Sequence, residues 1–102
     1  MTVNIDEGLL RRFLDELYAV GSYRPLYSDA WAVACNLVEG WMKDAGLAVR
    51  RDAVGNLWGR IEGKGTAVVT GSHIDTVRNG GRLDGALGIS AGLVAIRALI
   101  ES

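Results

Sequence analysis

The chain has very little of what marks several large classes of protein: one cysteine, one proline and one histidine among 102 residues. A single cysteine cannot form an internal disulfide, so the chain is not a small disulfide-stabilised domain. No apolar run approaches the roughly 18 residues of a membrane-spanning helix. The first seven residues include two acidic ones, unlike the basic start of a signal peptide. These absences predict a cytoplasmic protein with no membrane partner.

A charge excess of either sign is also missing. Eleven lysines and arginines face twelve acidic residues, giving a formal net charge of −1. The basic residues are dispersed and form no stripe, so we expect no nucleic-acid partner. A hydrophobic content of 49% at this length is typical of globular chains. We therefore expect residues 1–102 to form part or all of one globular domain.

Hydrophobic periodicity predicts three helices and three strands. Apolar residues recur at helical spacing over residues 5–20 and again up to Ala45, with Ser28 as the N-cap of the second helix and Gly46 as its stop. Strands are predicted at 48–53, 56–62 and 66–72, followed by an apolar helix from residue 85.

The third strand and the last helix suggest how the elements are layered. The strand has an unbroken apolar centre, which is typical of an interior strand covered on both faces. The last helix is apolar nearly all round, so we expect it to be deeply buried, with Gly88 and Gly92 packed tightly against the sheet. The predicted fold is α/β, a three-layer arrangement of a sheet with flanking helices.

Residues 71–88 bring the only histidine and two aspartates onto a glycine-rich turn. His73 and Asp75 are two apart after an extended segment, so their side chains project to the same side and can touch. One imidazole nitrogen of His73 would then bind a metal while Asp75 accepts the N–H of the other. Asp84 lies just before the last helix, where the helix dipole and free N–H groups favour an anion.

The same residues allow simpler interpretations. Most His-x-Asp tripeptides are ordinary hydrogen-bonded pairs. A nucleophilic pair of Cys35 and His73 is a further alternative, but Cys35 falls on an apolar helical stripe typical of an inert buried thiol. The Asn79-Gly80-Gly81 string is either a plain turn or a backbone cradle for a substrate anion, with Arg78 or Arg82 adding a charged contact.

The complete string of residues 71–88, from Gly-Ser-His-Ile-Asp-Thr-Val to Leu-Asp-Gly-Ala-Leu-Gly, resembles the first metal-ligand segment of the carbamoylase and allantoate amidohydrolase family. This family is a branch of the co-catalytic zinc exopeptidase-like amidohydrolases. Residues 26–28, 43–50 and 52–60 are similar to the same family in the same order.

The resemblance implies a partial zinc-exopeptidase-like catalytic domain with a two-metal site. In it His73 is a terminal ligand of one metal, Asp84 bridges both metals, and Asp75 orients His73. The two divalent ions are Zn²⁺ or Mn²⁺, with Ni²⁺ or Co²⁺ as further possibilities. Two cations about 3.5–4 Å apart share a carboxylate, and water bound between them has its pKa lowered towards about 7, so hydroxide can attack a carbonyl carbon.

The implied activity is hydrolysis of a carbon–nitrogen bond, other than a peptide bond, in a small ureido compound such as an N-carbamoyl-L-amino acid or allantoate. Family members also carry two more histidines, a Glu-Glu pair and an inserted lid and dimerisation domain, none of which is found here. We therefore expect residues 1–102 to be the N-terminal, inactive part of a homodimeric parent. The alternatives are a metallopeptidase or deacylase of the same group, or a short non-catalytic binding protein.

Overall fold

The computed structural model describes residues 2–102 and has an α/β fold. Its elements are, in chain order, α1 (Glu7–Val20), α2 (Asp29–Asp44), β1 (Ala48–Arg51), β2 (Leu57–Arg60) and α3 (Ala86–Glu101). The three predicted helices and the first two predicted strands are therefore confirmed, with ends displaced by a few residues.

Side-chain caps and a glycine set the helix ends. The carboxylate of Asp6 accepts the Leu9 N–H at 2.9 Å at the start of α1. The Ser28 hydroxyl accepts the Trp31 N–H at 3.2 Å at the start of α2, as predicted. Gly46 follows α2 with a φ of +90°, and the next N–H bonds back to the carbonyl of Met42. This reversal is open to glycine at no steric cost, which explains why the helix stops there.

β1 and β2 form an antiparallel hairpin whose turn is organised by Asp52. Its carboxylate accepts hydrogen bonds from the main-chain N–H groups of Val54 and Asn56, from the Asn56 amide at 2.9 Å and from the Trp58 indole at 3.1 Å. The bonds from the Asn56 and Trp58 side chains lower the pKa of Asp52 to about 2. The ionised carboxylate is therefore the form that holds the turn.

We expect this turn to make the stability of the chain dependent on acid. Because the pKa of Asp52 is lower in the folded chain than its unfolded value of about 3.9, its contribution is complete above about pH 4 and disappears as the pH falls through about 2. Urea unfolding from pH 7 to pH 2 should show Asp52→Asn less stable than the natural chain at neutral pH, with the difference shrinking progressively below about pH 4. Asn replacement of the exposed Asp44 is the control, and a constant difference between the natural chain and Asp52→Asn at every pH would contradict the prediction.

The core lies where the three helices meet. The ring of Phe13 in α1 stacks on Trp41 in α2, with centroids 4.0 Å apart. Phe13 and Leu17 are fully buried, and the core continues through residues of the other elements: Ala34, Val38, Leu47, Ala86, Leu93 and Val94. Full burial of one such large side chain contributes about 1.5–3 kcal/mol, so this cluster fixes the arrangement of the helices.

The predicted third strand is wrong. Residues 66–72 pair with neither β1 nor β2, and the sheet in the described chain has two strands. Val68 is 99% exposed and Val69 is 74% exposed, where coverage of both faces was expected. The local sequence favours an extended backbone, but a strand also needs a neighbouring strand to accept its hydrogen bonds, and residues 2–102 place none beside it.

The last helix is buried on one face only, which corrects the expectation of deep burial. Ala86, Ser90 and Leu93 lie in the interior, whereas Leu99 and Ile100 are about half exposed. Gly88, Ile89, Gly92 and Ile96 of the same helix border a mostly apolar cleft of about 980 Å³, which is also lined by the hairpin, α2 and residues 67–75.

The glycines of α3 do allow a close approach, as predicted, but to an unpaired segment and not to a sheet. A Cβ at Gly88 would lie 2.6 Å from the Cβ of Ser72, and one at Gly92 would lie 3.2 Å from Thr70. Gly88 thus lies against residue 72 and Gly92 against residue 70, so α3 packs closely on the segment that leads to His73.

Candidate functional site

His73, Asp75 and Asp84 converge in one place; the spacing predicted this for His73 and Asp75, and the family resemblance implied it for Asp84. The His73 Nε2 lies 3.6 Å from the Asp84 carboxylate, and its Nδ1 lies 3.5 Å from the Asp75 carboxylate. All three side chains are about half exposed. Each of the two ring nitrogens of His73 therefore has a carboxylate beside it, at a position that a small molecule can reach.

The hydrogen bonding of His73 defines how the ring can act. Its Nδ1 lies 2.7 Å from the main-chain carbonyl of Asp75. A carbonyl oxygen only accepts, so Nδ1 carries a hydrogen. In the neutral ring the lone pair then lies on Nε2, facing the Asp84 carboxylate. A lone pair and a carboxylate repel each other, so a metal cation between them would stabilise this arrangement.

The Asp75 main-chain carbonyl lies nearer to His73 Nδ1 than the Asp75 carboxylate does, and the orienting role expected of the side chain stays a prediction. The carboxylate is 3.5 Å from Nδ1, beyond the usual hydrogen-bond range, while the main-chain carbonyl is at 2.7 Å. The negative charge of the Asp75 side chain still lies next to the ring.

The Asp84 carboxylate is free to face His73. Asp84 precedes Gly85, the residue before α3, and the helix start has no side-chain capping hydrogen bond. Asp84 was expected at a helix start that favours an anion, and it lies there without capping α3 by a side-chain hydrogen bond. Its side chain faces the imidazole across 3.6 Å.

The donor set fits a metal ion at His73 and Asp84, although these two alone cannot complete a site. Two ligands bound at about 2.0–2.1 Å to a tetrahedral zinc stand roughly 3.4 Å apart, close to the observed 3.6 Å. Within residues 2–102, however, no three His, Cys, Asp or Glu side chains are grouped so as to hold a metal. The metal-binding roles of His73 and Asp84 stay predictions.

Gly85 is a site residue that the sequence analysis missed. A Cβ at this position would lie 2.4 Å from the His73 carbonyl oxygen and 2.6 Å from the ring Cε1. Its φ is also +71°. The ring therefore packs directly on the Gly85 backbone, and the sequence signal for this was the glycine that follows Asp84.

Arg24 and Thr76 are two further residues near the site that were not identified from the sequence. Both are buried, and they join the loop before α2 to the segment that carries Asp75. The Arg24 N–H donates to the Thr76 hydroxyl at 2.6 Å, and the Thr76 N–H donates to the Arg24 carbonyl at 3.0 Å. Burial lowers the pKa of Arg24, and the Asp75 carboxylate acts in the opposite direction. Nothing in the local sequence near Pro25 signals a contact some fifty residues away.

The two arginines considered for substrate binding have partners inside the chain. Arg82 forms an ion pair with Asp15 of α1 and lies over the Tyr18 ring, and Arg78 lies over the Tyr23 ring at 5.0 Å. Asn79 has a φ of +57°, and a hydrogen bond from Gly80 to Val77 closes the turn. These contacts favour the plain-turn interpretation of this string.

Cys35 lies apart from this chemistry. It is 2% exposed and belongs to the apolar side of α2, and burial raises the pKa of its thiol. A raised pKa disfavours the thiolate, so the structure favours the inert core cysteine over a nucleophile.

Among the described residues, no helix is both long and apolar enough to cross a membrane.

The chain is similar in sequence to several amidohydrolases. No family model matches the chain. It is 39% identical to an N-carbamoyl-L-amino-acid amidohydrolase of Pseudomonas sp. over 99% of its own length and 27% of that protein. It is 45% identical to the allantoate amidohydrolase of Bacillus subtilis over 80% of its length and 21% of that protein.

The structural comparison agrees. The crystal structure of an amidase of the hydantoinase/carbamoylase family from Burkholderia phymatum superposes with a TM-score of 0.94 at 39% identity, covering 100% of this chain and 26% of that one. The chain thus spans about a quarter of the length of these relatives. Its sequence and its fold both show that it belongs to the hydantoinase/carbamoylase family of amidohydrolases.

Proposed function

We propose that this chain supplies part of the active site of a metal-dependent amidohydrolase that cleaves a carbon–nitrogen bond of a small ureido compound. The observation that carries the proposal is the pairing of His73 Nε2 with the Asp84 carboxylate at 3.6 Å, while the other ring nitrogen donates to a carbonyl. That combination presents a lone pair and a negative charge to the same point, as a divalent cation requires.

The substrate class rests on the relatives. Those whose names state a substrate act on N-carbamoyl-L-amino acids, allantoate or ureidoglycolate, all of which contain a ureido group. We extend that class to this chain. The resemblance of residues 71–88 to the first metal-ligand segment supports it, because the same segment holds His73 and Asp84 here.

In this function His73 would be a terminal ligand of one metal, and Asp84 would be the carboxylate shared by that metal and a second one. The two divalent ions, Zn²⁺ or Mn²⁺, with Ni²⁺ or Co²⁺ also suited to this donor set, would lower the pKa of a bound water. The chain's own groups hold the donors in place: Asp75 positions the ring through its carbonyl, and Gly85 leaves room for it. The remaining ligands, the general base and a homodimer interface would come from sequence other than residues 1–102.

A hybrid enzyme tests this proposal. Residues 1–102 replace the matching segment of the Pseudomonas N-carbamoyl-L-amino-acid amidohydrolase, which they match at 39% identity. We expect the hybrid to hydrolyse an N-carbamoyl-L-amino acid, to lose this activity on chelation and to regain it with Zn²⁺ or Mn²⁺. The control is the same hybrid with His73→Ala, which should stay inactive with metal.

Two outcomes of the hybrid experiment would contradict the proposal. A folded, metal-loaded hybrid that is inactive, beside an active Pseudomonas enzyme, would show that these residues do not support the reaction. A hybrid that prefers dipeptides or N-acyl amino acids would instead favour the metallopeptidase or deacylase alternative.

The chain of 102 residues by itself should be inactive. It contains one histidine, and His73 and Asp84 cannot saturate two ions that each take four or more ligands. We expect no metal-dependent hydrolysis of N-carbamoyl amino acids or allantoate, and no stoichiometric zinc after dialysis, measured by elemental analysis. Hydrolysis that survives purification and returns with zinc after chelation would show that the ligand count is wrong.

A further inference from the structure

The segment that carries Asp75 is fastened on both sides by the loop of residues 21–24. Before Asp75, the Arg24 Nε donates to the Ile74 carbonyl at 3.1 Å. After it, the Thr76 N–H donates to the Arg24 carbonyl, and the Thr76 hydroxyl both accepts from the Arg24 N–H and donates to the Ser22 carbonyl at 3.0 Å.

These contacts fix the direction of one particular carbonyl. The Asp75 C=O and the Thr76 N–H belong to the same peptide unit, which is planar with the two groups pointing in opposite directions. The N–H is held by the Arg24 carbonyl at 3.0 Å. The C=O must therefore point away from the loop, and it meets His73 Nδ1 at 2.7 Å.

Arg24 is itself held rigidly. Its guanidinium Nη1 donates to the carbonyls of Leu17 and Gly21, at 3.2 and 2.7 Å, and the residue is 3% exposed. A buried arginine bonded to main-chain carbonyls at the end of α1 and in the following loop has little freedom to move. The core helix α1 is thereby connected, through Arg24 and the 75–76 peptide, to the orientation of the imidazole.

We propose that Arg24 and Thr76 are positioning residues that select the His73 tautomer with hydrogen on Nδ1, so that the Nε2 lone pair faces Asp84. They act through the Asp75 carbonyl and touch neither His73 nor a substrate. The proposal deepens the assigned function, since it rests on His73 using Nε2 as a ligand, but the tautomer exists independently of metal and of activity.

The single histidine makes the test direct. In the 102-residue chain labelled with ¹⁵N-histidine, long-range proton–nitrogen correlation spectra recorded at alkaline pH report which ring nitrogen carries the hydrogen. We expect the natural chain to show Nδ1 protonated and Nε2 bare. Thr76→Val keeps the shape and removes the hydroxyl, and Arg24→Met removes the guanidinium. Each leaves the main-chain hydrogen bond between residues 24 and 76 without part of the side-chain bonding that aligns it, so we expect each to give a mixture of the two tautomers.

The matched controls are Thr76→Ser, which retains the hydroxyl, and Arg60→Met, which removes an exposed arginine paired with Glu62. Both should keep the natural pattern. If Arg24→Met does not fold, the Thr76→Val and Thr76→Ser pair decides the question.

A natural chain with Nε2 protonated, or folded Thr76→Val with an unchanged pattern, would overturn the proposal. A natural pattern that shifts in Thr76→Val while the hybrid enzyme is inactive would refute the proposed function and leave this inference standing.

Discussion

Asp84→Asn in the hybrid enzyme is expected to lower kcat/KM by on the order of 10³-fold or more. The replacement keeps the size of the side chain and removes the negative charge that faces His73 Nε2 at 3.6 Å. Two neighbouring cations would lose the anion that offsets their repulsion, and the metal contribution to transition-state stabilisation is several kcal/mol, with each 1.36 kcal/mol worth tenfold. Steady-state kinetics with N-carbamoyl amino acids, together with metal content, measure the effect.

Asp75→Asn is the matched comparison. Loss of a group that orients a metal ligand typically costs about 10–100-fold, and here the orienting contact is a main-chain carbonyl that the substitution leaves in place. We therefore expect the Asp75 variant to lie at the low end of that range and to keep its metal. Equal, mild losses from both substitutions would contradict the roles assigned to the two aspartates.

Gly85→Ala is expected to have the largest effect of any single methyl added near the site. The φ of +71° and ψ of −48° are strained for any residue with a Cβ, and the new carbon would overlap the His73 carbonyl and ring, at 2.4 and 2.6 Å. Strained backbone costs about 1–3 kcal/mol and overpacking about as much again. We expect the free energy of unfolding to fall by roughly 2–6 kcal/mol in urea titrations of the chain.

Gly81→Ala is the control for this result. Gly81 lies in the same loop, but a Cβ there would meet no atom within 4 Å. We expect its stability to stay within about 0.5 kcal/mol of the natural chain, as is usual for surface substitutions. If both alanine variants were equally stable, the close packing of Gly85 on the imidazole would be disproved.

Much of the secondary structure was readable from the sequence because it depends on near neighbours. Ser28 caps α2 by bonding an N–H three residues on, and Gly46 ends the same helix through its own backbone freedom. The hairpin turn is organised by Asp52, whose partners lie within six residues of it. Such interactions are complete within a short stretch of chain, so pattern and propensity suffice to predict them.

The strand predicted at residues 66–72 failed for the opposite reason. Val68 and Val69 have the β-branched character of a strand, but the hydrogen-bond partners of a strand are supplied by another segment. The local pattern sets the preference of residues 66–72 for an extended backbone, and the tertiary structure decides whether another strand pairs with them.

The candidate site likewise has one part that depends on the local sequence and another that depends on contacts between distant segments. The sequence by itself predicted that the side chains of His73 and Asp75 lie on the same side of the chain, because residues two apart on an extended segment project the same way, and the family resemblance added Asp84 to them. Only the tertiary structure decided which atom holds the ring, because the direction of the Asp75 carbonyl is set by Arg24, about fifty residues away in the chain. Contacts between distant segments depend on how the helices pack, and no local pattern of residues encodes that packing.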